Sequence, residues 1–169
     1  MKKVYQIPEA SNISKGTNLV NLIELEKGEK VTSVLAIKSF EDNEYLVMVT
    51  RKGVVKRANV KDFEFQRKGG KIAINLDEGD SLEFVKHTTG SDDVVIASRD
   101  GKAVRFGEEE ARVMGRAARG VRGIKLKGDD YVVGAALVEE GKMLITVTEK
   151  GFGKRNPFEG YVAHSRGTT

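Results

Sequence analysis

Three short apolar runs stand out along the chain, at residues 45–50, 94–97 and 143–147, and none alternates with polar positions. Runs of that length without alternation are strands buried on both faces. Each ends on a hydroxyl residue, Thr50, Ser98 or Thr148, followed by a turn with glycine in third place. Those turns are Arg51-Lys52-Gly53, Arg99-Asp100-Gly101 and Glu149-Lys150-Gly151, spaced 48 and 50 residues apart. Glycine supplies the positive φ of a tight hairpin. A short basic strand follows each turn: Val55-Lys56-Arg57, Ala103-Val104-Arg105 and Gly153-Lys154-Arg155.

The pattern continues beyond the hairpins. A basic, glycine-bearing loop recurs at Ser14-Lys15-Gly16, Arg67-Lys68-Gly69-Gly70-Lys71, Arg119-Gly120-Val121-Arg122-Gly123 and Ser165-Arg166-Gly167. A strand closing in Leu25, Leu76 or Leu126 is predicted next, then a turn at Gly28, Gly79 or Gly128. Further apolar strands are predicted at residues 31–35, 82–85 and 131–133. A repeat of about fifty residues with four strand signals per unit predicts an all-β, propeller-like array, with a solenoid as the structural rival. Little helix is expected, and its best candidate is a turn near Glu108-Glu109-Glu110-Ala111, whose acids suit a helix N-terminus.

The units fall at residues 1–50, 51–98 and 99–148, with a truncated one at 149–169, all in one partial domain spanning 1–169. Val4-Tyr5-Gln6-Ile7-Pro8 aligns with the basic strand after a hairpin turn, and the last residues fall inside a basic loop. The array is therefore expected to be a piece of a longer one, about three and a third units against the four to eight blades of a closed propeller.

Composition narrows the function. The absence of cysteine excludes disulfides and thiolate metal sites. No apolar run is long enough to span a membrane as a helix, and a cytoplasmic setting is expected. His87 and His164 lie apart without ligand-spaced partners and are expected to be exposed loop residues, and acids such as Asp77, Asp80 and Asp130 flank turn glycines. No P-loop, G-x-S-x-G or H-E-x-x-H pattern occurs, so no catalytic residue, metal site or cofactor site is assigned.

A net charge of +4 is modest, so a nucleic-acid reading rests on where the cations sit. Residues 112–127, R-V-M-G-R-A-A-R-G-V-R-G-I-K-L-K, carry six cations, three glycines and no acid. Interior glycines each cost about 1 kcal/mol in a helix, so this is an extended loop presenting guanidinium groups and amides together. Equivalent positions of a radial array share one rim. The candidate phosphate contacts are therefore Lys15, Lys56, Arg57, Arg67, Lys68, Lys71, Arg105, Arg116, Arg119, Arg122, Lys154, Arg155 and Arg166. A basic rim suits bent duplex DNA held by its phosphates. Aromatic residues are only 7% and lie away from the basic loops, which argues against single-strand stacking. The alternative is a solvated face on a protein-binding propeller.

Met114-Gly115-Arg116-Ala117-Ala118-Arg119-Gly120-Val121-Arg122-Gly123-Ile124-Lys125-Leu126 closely resembles a signature of the C-terminal domain of DNA gyrase A. So do Lys3-Val4-Tyr5-Gln6-Ile7-Pro8-Glu9-Ala10, residues 73–80, residues 101–106 and Gly151-Phe152-Gly153-Lys154-Arg155. The resemblance covers the whole chain and implies a six-bladed β-pinwheel that exchanges strands between blades and wraps duplex DNA around its rim. It implies no catalytic residue here: ATP and Mg2+ serve other parts of the enzyme, and the partners are the rest of gyrase A and gyrase B. It also implies a cytoplasmic, nucleoid-associated setting. The family's wrapping heptad, Q-R-R-G-G-(K/R)-G, has a degenerate counterpart in Gln66-Arg67-Lys68-Gly69-Gly70-Lys71-Ile72, with lysine for the second arginine and isoleucine for the last glycine. The intact heptad usually sits in the blade before the K-V-Y-Q-I-P-E-A segment, upstream of Met1. The equivalent domain of topoisomerase IV, with more degenerate boxes, is the near alternative.

Overall fold

The computed structural model describes residues 2–25, 28–65 and 70–168. Among these residues nine strands form in order: β1 (Tyr45–Thr50), β2 (Val54–Asn59), β3 (Leu82–Thr88), β4 (Asp93–Ser98), β5 (Ala103–Gly107), β6 (Val121–Arg122), β7 (Val132–Leu137), β8 (Met143–Val147) and β9 (Gly153–Pro157). The remaining regular segments are short 3-10 turns. The protein is all-β. The first sheet has the order β3-β1-β2-β6, the second β5-β4-β7 and the third β8-β9.

The hairpins form for the reason the sequence suggests, and the hydroxyl residue has a role in each. Thr50, Ser98 and Thr148 accept from the amides of Val54, Lys102 and Phe152 at 3.1, 3.3 and 3.2 Å, closing each turn from within. Gly53, Gly101 and Gly151 take φ of 83°, 83° and 81° and donate back to the same hydroxyl residues' carbonyls. The register is the same in all three pairs, with Val47 opposite Arg57, Val95 opposite Arg105 and Ile145 opposite Arg155.

Strand exchange joins the units. β6 lies in the third unit, yet it pairs with β2 of the second, Val55 against Val121. A parallel bridge from Arg57 to Val113 adds to that cover, and Arg105 makes the equivalent bridge to Ala163. The core forms between the first two sheets. Val47, Val49 and Val55 meet Val94, Ile96, Val104, Phe106 and Val132, with Ala111 and Ile124 supplied by the covering loop and its approach.

Several expectations need correction. β1 and β4 are buried as expected, but β8 is mostly exposed, because no further sheet covers the third hairpin among the described residues. Residues 31–35 form no strand, and Val4–Gln6 is a 3-10 turn; neither segment pairs with a sheet edge among the described residues. The strands expected to close in Leu25, Leu76 and Leu126 reduce to β6 alone. The acidic turn Glu108–Glu110 does form, but Glu108 is no dipole partner. Its buried carboxylate accepts from Thr88 Oγ1 at 2.6 Å and from the Gly90 and Asp92 amides at 2.7 and 3.0 Å, stitching one unit to the next. His87 lies half-buried in β3, 3.4 Å from Glu44, and not in a loop.

Candidate nucleic-acid interface

The arginine-rich loop owes its path to its glycines. A Cβ on Gly120 would lie 2.6 Å from the Val55 carbonyl oxygen, and the residue's φ is 105°. On Gly123 it would lie 3.1 Å from Val55 Cβ and 3.0 Å from Ile96 Cδ1. The loop backbone therefore presses onto β2 at the glycines, and the Gly123 amide bonds the Gly53 carbonyl at 2.8 Å. Arg116, Arg119 and Arg122, spaced three apart, are all exposed. Backbone inward, guanidinium outward is what the R-x-x-R-G-x-R-G pattern produces here. Arg119 meets Asp77 at 2.8 Å, but both ends are well exposed, so the pair contributes little and is open to exchange for a phosphate.

Facing this loop is the end of the degenerate heptad. Residues 70–72 and 115–118 line an open groove of about 660 Å³. The Asn75 amide donates to the Ala118 carbonyl at 3.2 Å and ties the two walls. Lys71, half-buried at the rim, donates to the Asp62 carbonyl at 3.0 Å. Gln66, Arg67, Lys68 and Gly69 lie outside the described residues.

Other candidates lie elsewhere. Adjacent strand residues point to opposite faces, so Lys56-Arg57 and Lys154-Arg155 cannot each place both side chains on one rim. Lys56 is wholly buried, and its ammonium donates to the carbonyls of Ala73 and Arg116 at 2.6 and 2.5 Å. Burial pushes its pKa below the ordinary lysine value, with Asp62 pulling the other way. Arg57, almost buried, sits 3.6 Å from Glu108 and stacks over Tyr45 at 4.8 Å. Arg105 is clamped by Asp93 at 2.7 Å and donates to the carbonyls of Phe158 and Tyr161. Arg166 donates to the Glu110 and Arg122 carbonyls at 2.8 and 3.1 Å. These four cations are engaged within the protein and do not form an outward rim. Lys15, Lys154 and Arg155 are exposed.

Acidic turn residues also do more than shape turns. Asp80 and Asp130, one repeat apart, each reach back to the preceding hairpin: Asp80 accepts from the Lys52 amide at 2.9 Å and Asp130 from the Asp100 amide at 3.0 Å. Burial raises the Asp130 pKa, but the nearby Ser98 hydroxyl, the bonds from the Asp100 and Tyr131 amides and the Arg99 charge outweigh it and leave the carboxyl below its usual value. Arg51 stacks on Tyr131 at 3.6 Å beside it. The aspartates that follow the turn glycines Gly79 and Gly128 were the available signal for this clamp.

The model of the DNA gyrase C-terminal domain, beta-propeller, matches residues 3–38, 44–88, 92–139 and 142–169. DNA gyrase A of Salmonella typhimurium is 45% identical over 166 residues, covering 98% of this chain and 19% of that protein. DNA gyrase A of Helicobacter pylori is 46% identical over 167 residues, covering 98% and 20%. Among solved structures, the C-terminal domain of DNA topoisomerase IV superposes with a TM-score of 0.89 at 28% identity, covering 98% of this chain and 52% of that one. The DNA gyrase A C-terminal domain gives 0.81 at 31%, covering 92% and 52%. The chain thus spans about a fifth of its curated relatives and about half of the solved domains.

Proposed function

The chain belongs to the family of DNA gyrase C-terminal domains, and from that membership we propose that it is a non-catalytic module that wraps duplex DNA for gyrase A. The observation that carries the reading is the outward row Arg116, Arg119 and Arg122, set by inward glycines beside the groove shared with residues 70–72. Such a row meets phosphates without reading bases. Lys154 and Arg155 on β9 and Lys15 on its own loop are further exposed cations that add charge outside the groove.

In the whole enzyme, the wrap presents a neighbouring DNA segment to the cleavage gate with fixed handedness. ATP-driven strand passage by gyrase A and gyrase B, with Mg2+ at the gate, then introduces negative supercoils in the bacterial nucleoid. Bending 20–30 base pairs by tens of degrees costs on the order of 1–6 kcal/mol, so several contacts have to act together.

Two measurements test the reading. With around six phosphates engaged, log K for random-sequence duplex falls against log[salt] with a slope near −5. Ligation of nicked circles in the presence of the chain is expected to change linking number, which binding without wrapping does not do. A protein-binding propeller predicts no duplex affinity, and that result would remove the proposal.

A further inference from the structure

Among the described residues Lys56 is the one predicted contact that is fully buried, and its two hydrogen bonds point to another use. Its acceptors are Arg116 O, on one wall of the groove, and Ala73 O, on the residue that follows the 70–72 wall, 60 and 17 residues further along the chain. Residues 115–118 form a turn in which the Ala118 amide bonds the Gly115 carbonyl at 3.0 Å. The peptide between Arg116 and Ala117 is the central plane of that turn. In a trans peptide the C=O and N–H point in opposite directions. Drawing the Arg116 carbonyl inward to Lys56 therefore turns the Ala117 N–H outward. Ala117 lines the groove, and its amide has no acceptor among the described residues.

We propose that Lys56 is a positioning residue for an oxyanion site at this turn, and that the Ala117 amide and the Arg116 guanidinium together hold one backbone phosphate. Lys56 touches no phosphate itself. It fixes the central peptide in the orientation that exposes the donor, and through Ala73 it keeps the Lys71 wall at its distance. Among the described residues none other than glycine has a positive φ. A flipped central peptide favours a positive φ at the third turn position, which Ala117 adopts only with strain, so lysine and alanine favour the same orientation. The unit that carries β2 thereby sets the shape of a loop sixty residues away, in the next unit. This assignment rests on the DNA-wrapping reading.

The test follows backbone amide resonances of the full chain during titration with short random-sequence duplex, alongside affinities over a salt series. In the wild-type chain the Ala117 amide is expected to shift on binding. In Lys56→Met, which keeps an unbranched side chain one atom shorter and removes its donors, that shift disappears and the salt slope falls by about 1, although no exposed charge has been removed. Adding Arg116→Ala to Lys56→Met weakens binding by less than about threefold further, because both changes remove the same contact. Duplex that binds the wild type without moving the Ala117 amide overturns the inference and leaves the wrapping proposal intact. So does a Lys56→Met chain that keeps the wild-type slope. If Lys56→Met does not fold, the wild-type amide shift decides alone. If no duplex binds at all, the wrapping proposal falls. Inorganic phosphate then serves as the probe: a shift of the Ala117 amide sustains the oxyanion site, and its absence removes it.

Discussion

The β1–β2 and β8–β9 hairpins share one design and meet opposite fates. Both close on a threonine hydroxyl and a left-handed glycine, with the same strand register. Yet Val47 and Val49 are 0% exposed, and Ile145 and Val147 are 67% and 68% exposed. Their basic pairs differ as sharply. Lys56 and Arg57 are engaged inside the protein, whereas Lys154 and Arg155 lie in solvent. What separates the two hairpins is cover. β2 is overlain by β6 and the loop around Gly120, and β9 has no such cover among the described residues. A cation in this repeat is structural where the next unit overlies it and available to a ligand where nothing does.

The comparison can be broken most forcefully at the cover itself. Gly120→Ala places a methyl group against the Val55 carbonyl at a φ unsuited to alanine. It is expected to cost about 2–4 kcal/mol in denaturant unfolding, whereas Gly160→Ala, with open space around it, changes stability by less than about 0.5 kcal/mol. Equal effects at the two sites would show that the loop does not dock on β2.

Burial predicts the next difference. Val49→Ala should cost about 1–3 kcal/mol and Val147→Ala within about 0.5 kcal/mol in the same measurement. Removing Arg57 deprives buried Glu108 of its cation and is expected to destabilise by about 1–3 kcal/mol. Arg155→Ala should leave the unfolding midpoint unchanged and reduce the salt slope for duplex by about 1.

A smaller effect concerns the aspartate clamp. The folded pKa of Asp130 lies below its unfolded value, so the carboxylate stabilises the protein above the unfolded pKa. That contribution is lost as pH falls through the folded pKa. Unfolding curves from neutral to acid pH should therefore show Asp130→Asn less stable than wild type at neutrality, the gap closing in acid. A gap independent of pH would remove the carboxylate from the account.

The hairpins were legible because their determinants are local: a hydroxyl, a glycine and an apolar run within ten residues. The arginine loop was legible for the same reason, its glycines and arginines being interleaved. The fate of Lys56 was not. Its acceptors lie 17 and 60 residues away, and Lys56-Arg57 and Lys154-Arg155 are the same dipeptide in different surroundings. Residues 31–35 have strand character but form no strand for a related reason, since β propensity describes a segment that fits a sheet without providing the sheet. The alternation of side chains along a strand places neighbouring cations on opposite faces.

The central claim is that the outward arginines hold duplex phosphates while the inward cations hold the fold. The direct measurement is the salt dependence of random-duplex binding by the Arg116→Ala, Arg119→Ala, Arg122→Ala triple variant beside the wild type. With one phosphate released per arginine, the slope is expected to become shallower by about 2.7, with the unfolding midpoint unchanged. An unchanged slope in a folded triple variant would contradict the claim.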